Sequence, residues 1–123
     1  MLQLNRGVMR LDVYTIFLVF IAGDILTGLL KAIYNGKISS ECLRKGLIHK
    51  FTEILVVFGG GFLDYVMLKY LGVKLMLLQT FSIYVITMEL ISIIENLCEV
   101  NPSLSGLLKP YLEKLKDKDN EGN

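Results

Sequence analysis

The sequence has no tryptophan, one histidine, two cysteines and two prolines in 123 residues, and only 20 % of its residues are charged. With His49 alone, the chain lacks the several imidazoles of a typical zinc site and any imidazole pair for acid–base work. Cys42 and Cys98 lie far apart and form no C-x-x-C motif, so they read as reduced thiols rather than a redox pair or a disulfide scaffold. No P-loop and no nucleophile motif occurs. These absences point away from an enzyme and from any metal or cofactor. Thirteen Lys+Arg against twelve Asp+Glu leave a net charge of +1, so there is no overall basic field to hold nucleic acid.

Apolar residues are plentiful instead, at 53 %, with a mean hydropathy of +0.53. A small soluble domain must cover a large surface with polar groups, and this chain is short of them. The composition also excludes a disordered or collagen-like polymer. Charges retreat from three windows, residues 13–33, 51–71 and 75–97. Each reaches the roughly 20 residues a helix needs to cross a ~30 Å hydrocarbon core, and within lipid only a helix satisfies its own backbone. A soluble bundle of buried helices is the competing reading. It would require polar residues every three or four positions, and residues 16–23 contain none. The expected fold is therefore all-α and integral to the membrane, a single domain over 1–123 with three transmembrane helices. The first window outlasts the apolar region of a signal peptide and no A-x-A site follows it, so cleavage there is not expected.

Nine of the thirteen basic residues lie at the edge of or within the first connection (Lys31, Lys37, Arg44, Lys45, Lys50) and in the tail (Lys109, Lys114, Lys116, Lys118). Arg6, Arg10, Lys69 and Lys74 lie on the other side. The positive-inside rule then predicts an N-out, C-in topology with a cytoplasmic tail over 98–123. Residues 104–115 read as a short amphipathic helix ahead of a polar tail. Lys37, Arg44, Lys45 and Lys50 read as topology anchors with affinity for anionic lipid headgroups.

A charge at mid-bilayer costs about 2.5–3.5 kcal/mol on insertion scales. Asp24 and Glu89 fall near the middle of their windows, so they are expected to face other helices or water, or to be protonated. Glu53, Lys31 and Glu95, nearer the ends, are expected to reach the headgroups, and Asp64 sits at the margin of that reach. Asp24, Thr27, Gly28 and Lys31 share one helical stripe, as do Glu53, Gly60 and Asp64, and as do Ser82, Glu89, Ser92, Asn96 and Glu99. Asp24, Thr27, Gly28, Gly60, Asp64, Glu89, Ser92 and Asn96 are accordingly the candidate oligomerisation residues, on polar faces that pack within one protomer or between protomers. Gly59-Gly60-Gly61 predicts a close crossing or a bend.

Asp24, Thr27, Gly28 and Lys31, then Asn35-Gly36-Lys37, Ser39-Ser40, Arg44-Lys45-Gly46 and Lys50, resemble the phage-lysis and toxin-secretion holins of Gram-positive bacteria and their phages. Glu89, Ser92, Glu95 and Asn96, followed by Pro102 and Leu107-Leu108-Lys109, are similar to that family's last span and tail. The likeness covers about residues 13–115. It implies a homo-oligomer of the bacterial cytoplasmic membrane (the host's, if phage-encoded), forming lesions that release an endolysin or a toxin lacking a signal peptide. It also implies the option of two starts, here Met1 and Met9, flanking Arg6. Two other readings are a small ion-channel or transporter subunit, with Asp24 or Glu89 as its site, and an accessory membrane protein such as an antiholin.

Overall fold

The protein was described from a computed structural model covering residues 12–121, with side chains through Asp117. Arg6, Arg10 and the two candidate start residues Met1 and Met9 lie outside the described residues. Helix α1 spans Val13–Asn35. Asp12 caps it by accepting the Thr15 N–H at 2.9 Å, a bond that holds its carboxyl below the usual carboxylate range. Gly36, at φ 67°, closes the other end, where the Gly36 and Lys37 N–H groups donate to the Ile33 and Ala32 carbonyls.

Helix α2 spans Ser40–Val66 and continues as a π-helical segment, Met67–Leu71, that ends at left-handed Gly72. It starts eleven residues earlier than the apolar window at 51–71 implies. Ser39 supplies the cap, accepting from the Cys42 N–H at 3.4 Å, so most of the segment expected as a basic loop is helix. The connection between α1 and α2 is only residues 36–39. The glycine triplet lies inside α2 without interrupting it.

Helix α3 spans Leu77–Val100, beginning and ending slightly later than the window at 75–97. After a 3₁₀ turn at Pro102–Leu104 comes α4, Ser105–Glu121. That helix exceeds the short one expected over 104–115 and takes up much of the polar tail. It also contains Pro110, which the sequence suits better to a helix end or a loop. Lys116 meets Glu95 at 2.8 Å, so α4 turns back toward α3.

Helix α3 is central and packs against both α1 and α2. The apolar core is small: Phe17 and Ile21 from α1, Val57 from α2 and Val85 from α3, flanked by Tyr14, Ile54, Leu78, Phe81 and Ile86. Most large apolar side chains point outward, among them Leu26, Leu30, Phe62, Tyr70 and Ile83. A water-soluble surface does not carry apolar area on this scale. The three long helices, Val13–Asn35, Ser40–Leu71 and Leu77–Val100, are each long and apolar enough to cross a membrane. The architecture is all-α with three membrane-spanning helices.

Contacts between helices fix their relative heights. Gly60 lies against Leu77 and Phe81, and Gly61 against Tyr14 and Leu78. The start of α1 and the start of α3 are thus level with residues 60–64 of α2. Lys50, fourteen residues before Asp64, is then level with the middle of α1, and the stretch 65–76 projects beyond the other two helices.

Candidate functional site

The middle of the bundle is occupied by charge. Asp24 on α1 and Glu89 on α3 are 9 % and 3 % exposed. Between them stands the ammonium of Lys50 on α2, donating to Glu89 Oε2 at 2.5 Å and to Asp24 Oδ2. The Lys50 side chain is 13 % exposed, so it does not reach the headgroups with the other basic residues of its segment. Three adjacent turns of three helices converge on one cation. Desolvation makes each of these charges costly alone, and their mutual attraction offsets that cost.

Amides and hydroxyls extend the cluster. The Asn96 side-chain N–H₂ donates to Asp24 Oδ1 at 3.3 Å and to Thr27 Oγ1 at 3.1 Å. The Thr27 hydroxyl in turn donates to the Gly23 carbonyl at 2.9 Å. Gly28 faces the same amide, since a Cβ there would lie 3.7 Å from Asn96 Nδ2. Ser92 is half-buried one turn from both Glu89 and Asn96. Glu53, expected near the headgroups, instead faces inward at 14 % exposure, with Oε1 3.8 Å from the Lys50 ammonium. The cluster holds three carboxyl groups around one ammonium, with the His49 imidazole 3.7 Å from Glu53 at its edge.

Closer to the 36–39 connection, Glu99 receives the Asn35 amide at 3.1 Å and lies 3.7 Å from the Lys31 ammonium. The remaining candidates are placed elsewhere. Gly60 is buried at the α2–α3 crossing, where a Cβ would stand 2.7 Å from Phe81 Cδ2. Asp64 belongs to the far end: its carboxylate accepts the N–H groups of Leu77 and Leu78 at 2.9 and 2.7 Å and caps α3 from the neighbouring helix. Met76, which has the cap position itself, has no side chain able to do so. Lys37, Arg44 and Lys45 are exposed, and Lys45 pairs with Glu41 at 3.4 Å.

Lys50 is the member of this cluster that hydropathy conceals. Stepping back three residues along the Glu53, Gly60, Asp64 stripe leads to it, and the Ser39 cap is the signal that the helix already exists there. Cys42 is exposed and Cys98 half-buried, both as free thiols. Among the described residues no group of His, Cys, Asp and Glu has the arrangement of a metal site.

The model of the bacteriophage holin family matches residues 10–117. No curated protein and no solved structure matches the chain.

Proposed function

Because this chain belongs to the bacteriophage holin family, and so is a multi-pass protein of the cell membrane, we propose that it accumulates there and oligomerises into lesions that release an endolysin. A toxin without a signal peptide is the other cargo consistent with this reading. The single observation that carries it is the Asp24–Lys50–Glu89 cluster. Holins are a family of non-enzymatic membrane proteins, and a polar interior inside a lipid-facing exterior suits a protein that rearranges within the bilayer. In the closed protomer the polar faces of α1, α2 and α3 satisfy one another. Above a threshold density those faces re-pair between protomers, and their carboxyl groups turn to water, which solvates them at lower cost than lipid or a dry interior. The candidate residues of the polar stripe that serve this exchange are Asp24, Thr27, Gly28, Glu89, Ser92 and Asn96.

Expression in bacteria tests it. Turbidity is followed with and without a co-expressed endolysin, before and after a membrane uncoupler. Abrupt, endolysin-dependent lysis is expected. Graded ion leakage without lysis identifies a channel, and silence an accessory protein. If Asp24→Leu and Glu89→Leu proteins accumulate normally and lyse on the same schedule, the exchange of polar faces is wrong.

The proposed orientation is N-out and C-in, supported by Lys31, Lys37, Arg44 and Lys45 around the first connection and by the four lysines of the tail. In intact cells a membrane-impermeant maleimide is expected to label Lys74→Cys and to leave Cys42 unmodified until the membrane is opened. The reverse pattern inverts the topology.

A further inference from the structure

Helices α1 and α2 touch at the Tyr14, Phe58 and Gly61 level but part toward their connection, leaving a cleft of about 500 Å³ between them. Its deep end is bounded by the Asp24–Lys50 pair, and residues 37–39 line its mouth. The walls are apolar, Ile25 and Leu29 on one side and Leu43 and Leu47 on the other. Gly46 keeps it open, since a Cβ added there would meet nothing within 4 Å. At the mouth, the Glu99 carboxylate is engaged by Lys31 and Asn35. Lys37, also at the mouth, has no carboxylate within 4.0 Å among the described residues.

We propose that this cleft binds one anionic phospholipid per protomer, with an acyl chain between Leu29 and Leu43/Leu47 and the phosphate at Lys37. An apolar slot that faces a bilayer and is topped by a spare ammonium has the complementary shape and charge. Basic pockets between transmembrane helices hold anionic headgroups in this way. A helix from a second copy, about 10–12 Å across with its side chains, would have to pass the ion pair at one end and the connection at the other. The site requires only that the helices lie in lipid and does not depend on lesion formation.

Native mass spectrometry of the delipidated full-length protein in mild detergent tests it, with phosphatidylglycerol and phosphatidylcholine of matched chains as probes. The wild type is expected to bind one phosphatidylglycerol with about tenfold preference. Gly46→Leu fills the slot while favouring the helix, and is expected to abolish binding of both lipids with helical content unchanged. Lys37→Glu is expected to remove the preference and keep the acyl-chain binding. Lys74→Glu, at the opposite end of the bundle and outside the cleft, is expected to change neither. Equal binding of the two lipids by the wild type, retention of lipid by Gly46→Leu, or equal damage from Lys74→Glu and Lys37→Glu overturns the proposal. So does a dimer that Gly46→Leu abolishes, since a second copy is then the occupant.

Discussion

Toward the Gly72 turn the three helices meet through glycines and rings: Gly60 on Phe81, Gly61 on Tyr14, and Tyr14 stacked on Phe58 with ring centroids 4.6 Å apart. Toward the 36–39 connection they meet through ions and amides: Asp24, Lys50, Glu89, Asn96 and Glu99. Membrane helices lack a strong hydrophobic drive to associate, because lipid is as apolar as leucine, and so rely on close packing or on polar contacts. This bundle uses one in each half. The packed half has short, fixed contacts that only this shape allows. The polar half leaves a cleft beside it and is held by groups that could satisfy the same bonds on another protomer.

The sharpest way to break the comparison is to remove the shared cation. Lys50→Met leaves Asp24 and Glu89 facing each other across the middle of the bundle, and loss of one partner from a buried ionic cluster costs about 3–5 kcal/mol. Accumulation in the membrane, measured by immunoblot of the fractionated cells, is expected to fall steeply. Adding Asp24→Asn and Glu89→Gln removes the unpaired charge and is expected to restore most of it. If Lys50→Met alone accumulates like the wild type, the polar half does not hold the bundle.

In the packed half the effect is smaller and confined to two positions of the triplet. Gly60→Ala puts a Cβ against the Phe81 ring, an overpacking expected to cost about 1–3 kcal/mol and to be relieved by Phe81→Leu. Gly59→Ala meets nothing within 4 Å and is expected to stabilise the helix by up to about 1 kcal/mol. Reversible unfolding in mixed detergent micelles separates the two. Equal effects at both positions would make the triplet a matter of helix propensity rather than of close approach.

The smallest effect is at the α3 start. Asp64→Ala frees the N–H groups of Leu77 and Leu78 and is expected to cost about 1 kcal/mol, as loss of a helix cap does. Asp64→Asn is expected to recover much of it, and amide hydrogen exchange at the first turn of α3 reports both.

The three spans and the all-helical class were legible because the chain withdraws its charges from long stretches, a property local to each stretch. The carboxylates that face inward, Asp24 and Glu89, were legible for the same reason. Their partner was not. Lys50 lies next to Arg44, Lys45 and His49 in sequence, and hydropathy averages such a group into a loop. Only the helix that begins after Ser39, and the height at which α2 stands beside α1, carry it to mid-bundle. Asp64 was read as part of the polar stripe on its spacing, but its capping of Leu77 and Leu78 depends on the chain reversing at Gly72 and returning to the same height. Register between helices is a long-range property, and one sequence does not encode it in any single segment.

The length of α2 constrains how the bundle can move. Arg44 and Lys45 ride on its first turns, and beyond the other helices Lys69 lies over the rings of Tyr65 and Tyr70 at 5.4 and 5.5 Å. Charged and aromatic groups of this kind settle at the water boundary. With such collars at both ends, α2 resists any piston stroke along the membrane normal, because one collar would be dragged into oil. Rotation about its own axis would keep both collars wet, and would turn Lys50 from Asp24 and Glu89 only where the Gly60 and Asp64 contacts to α3 give way.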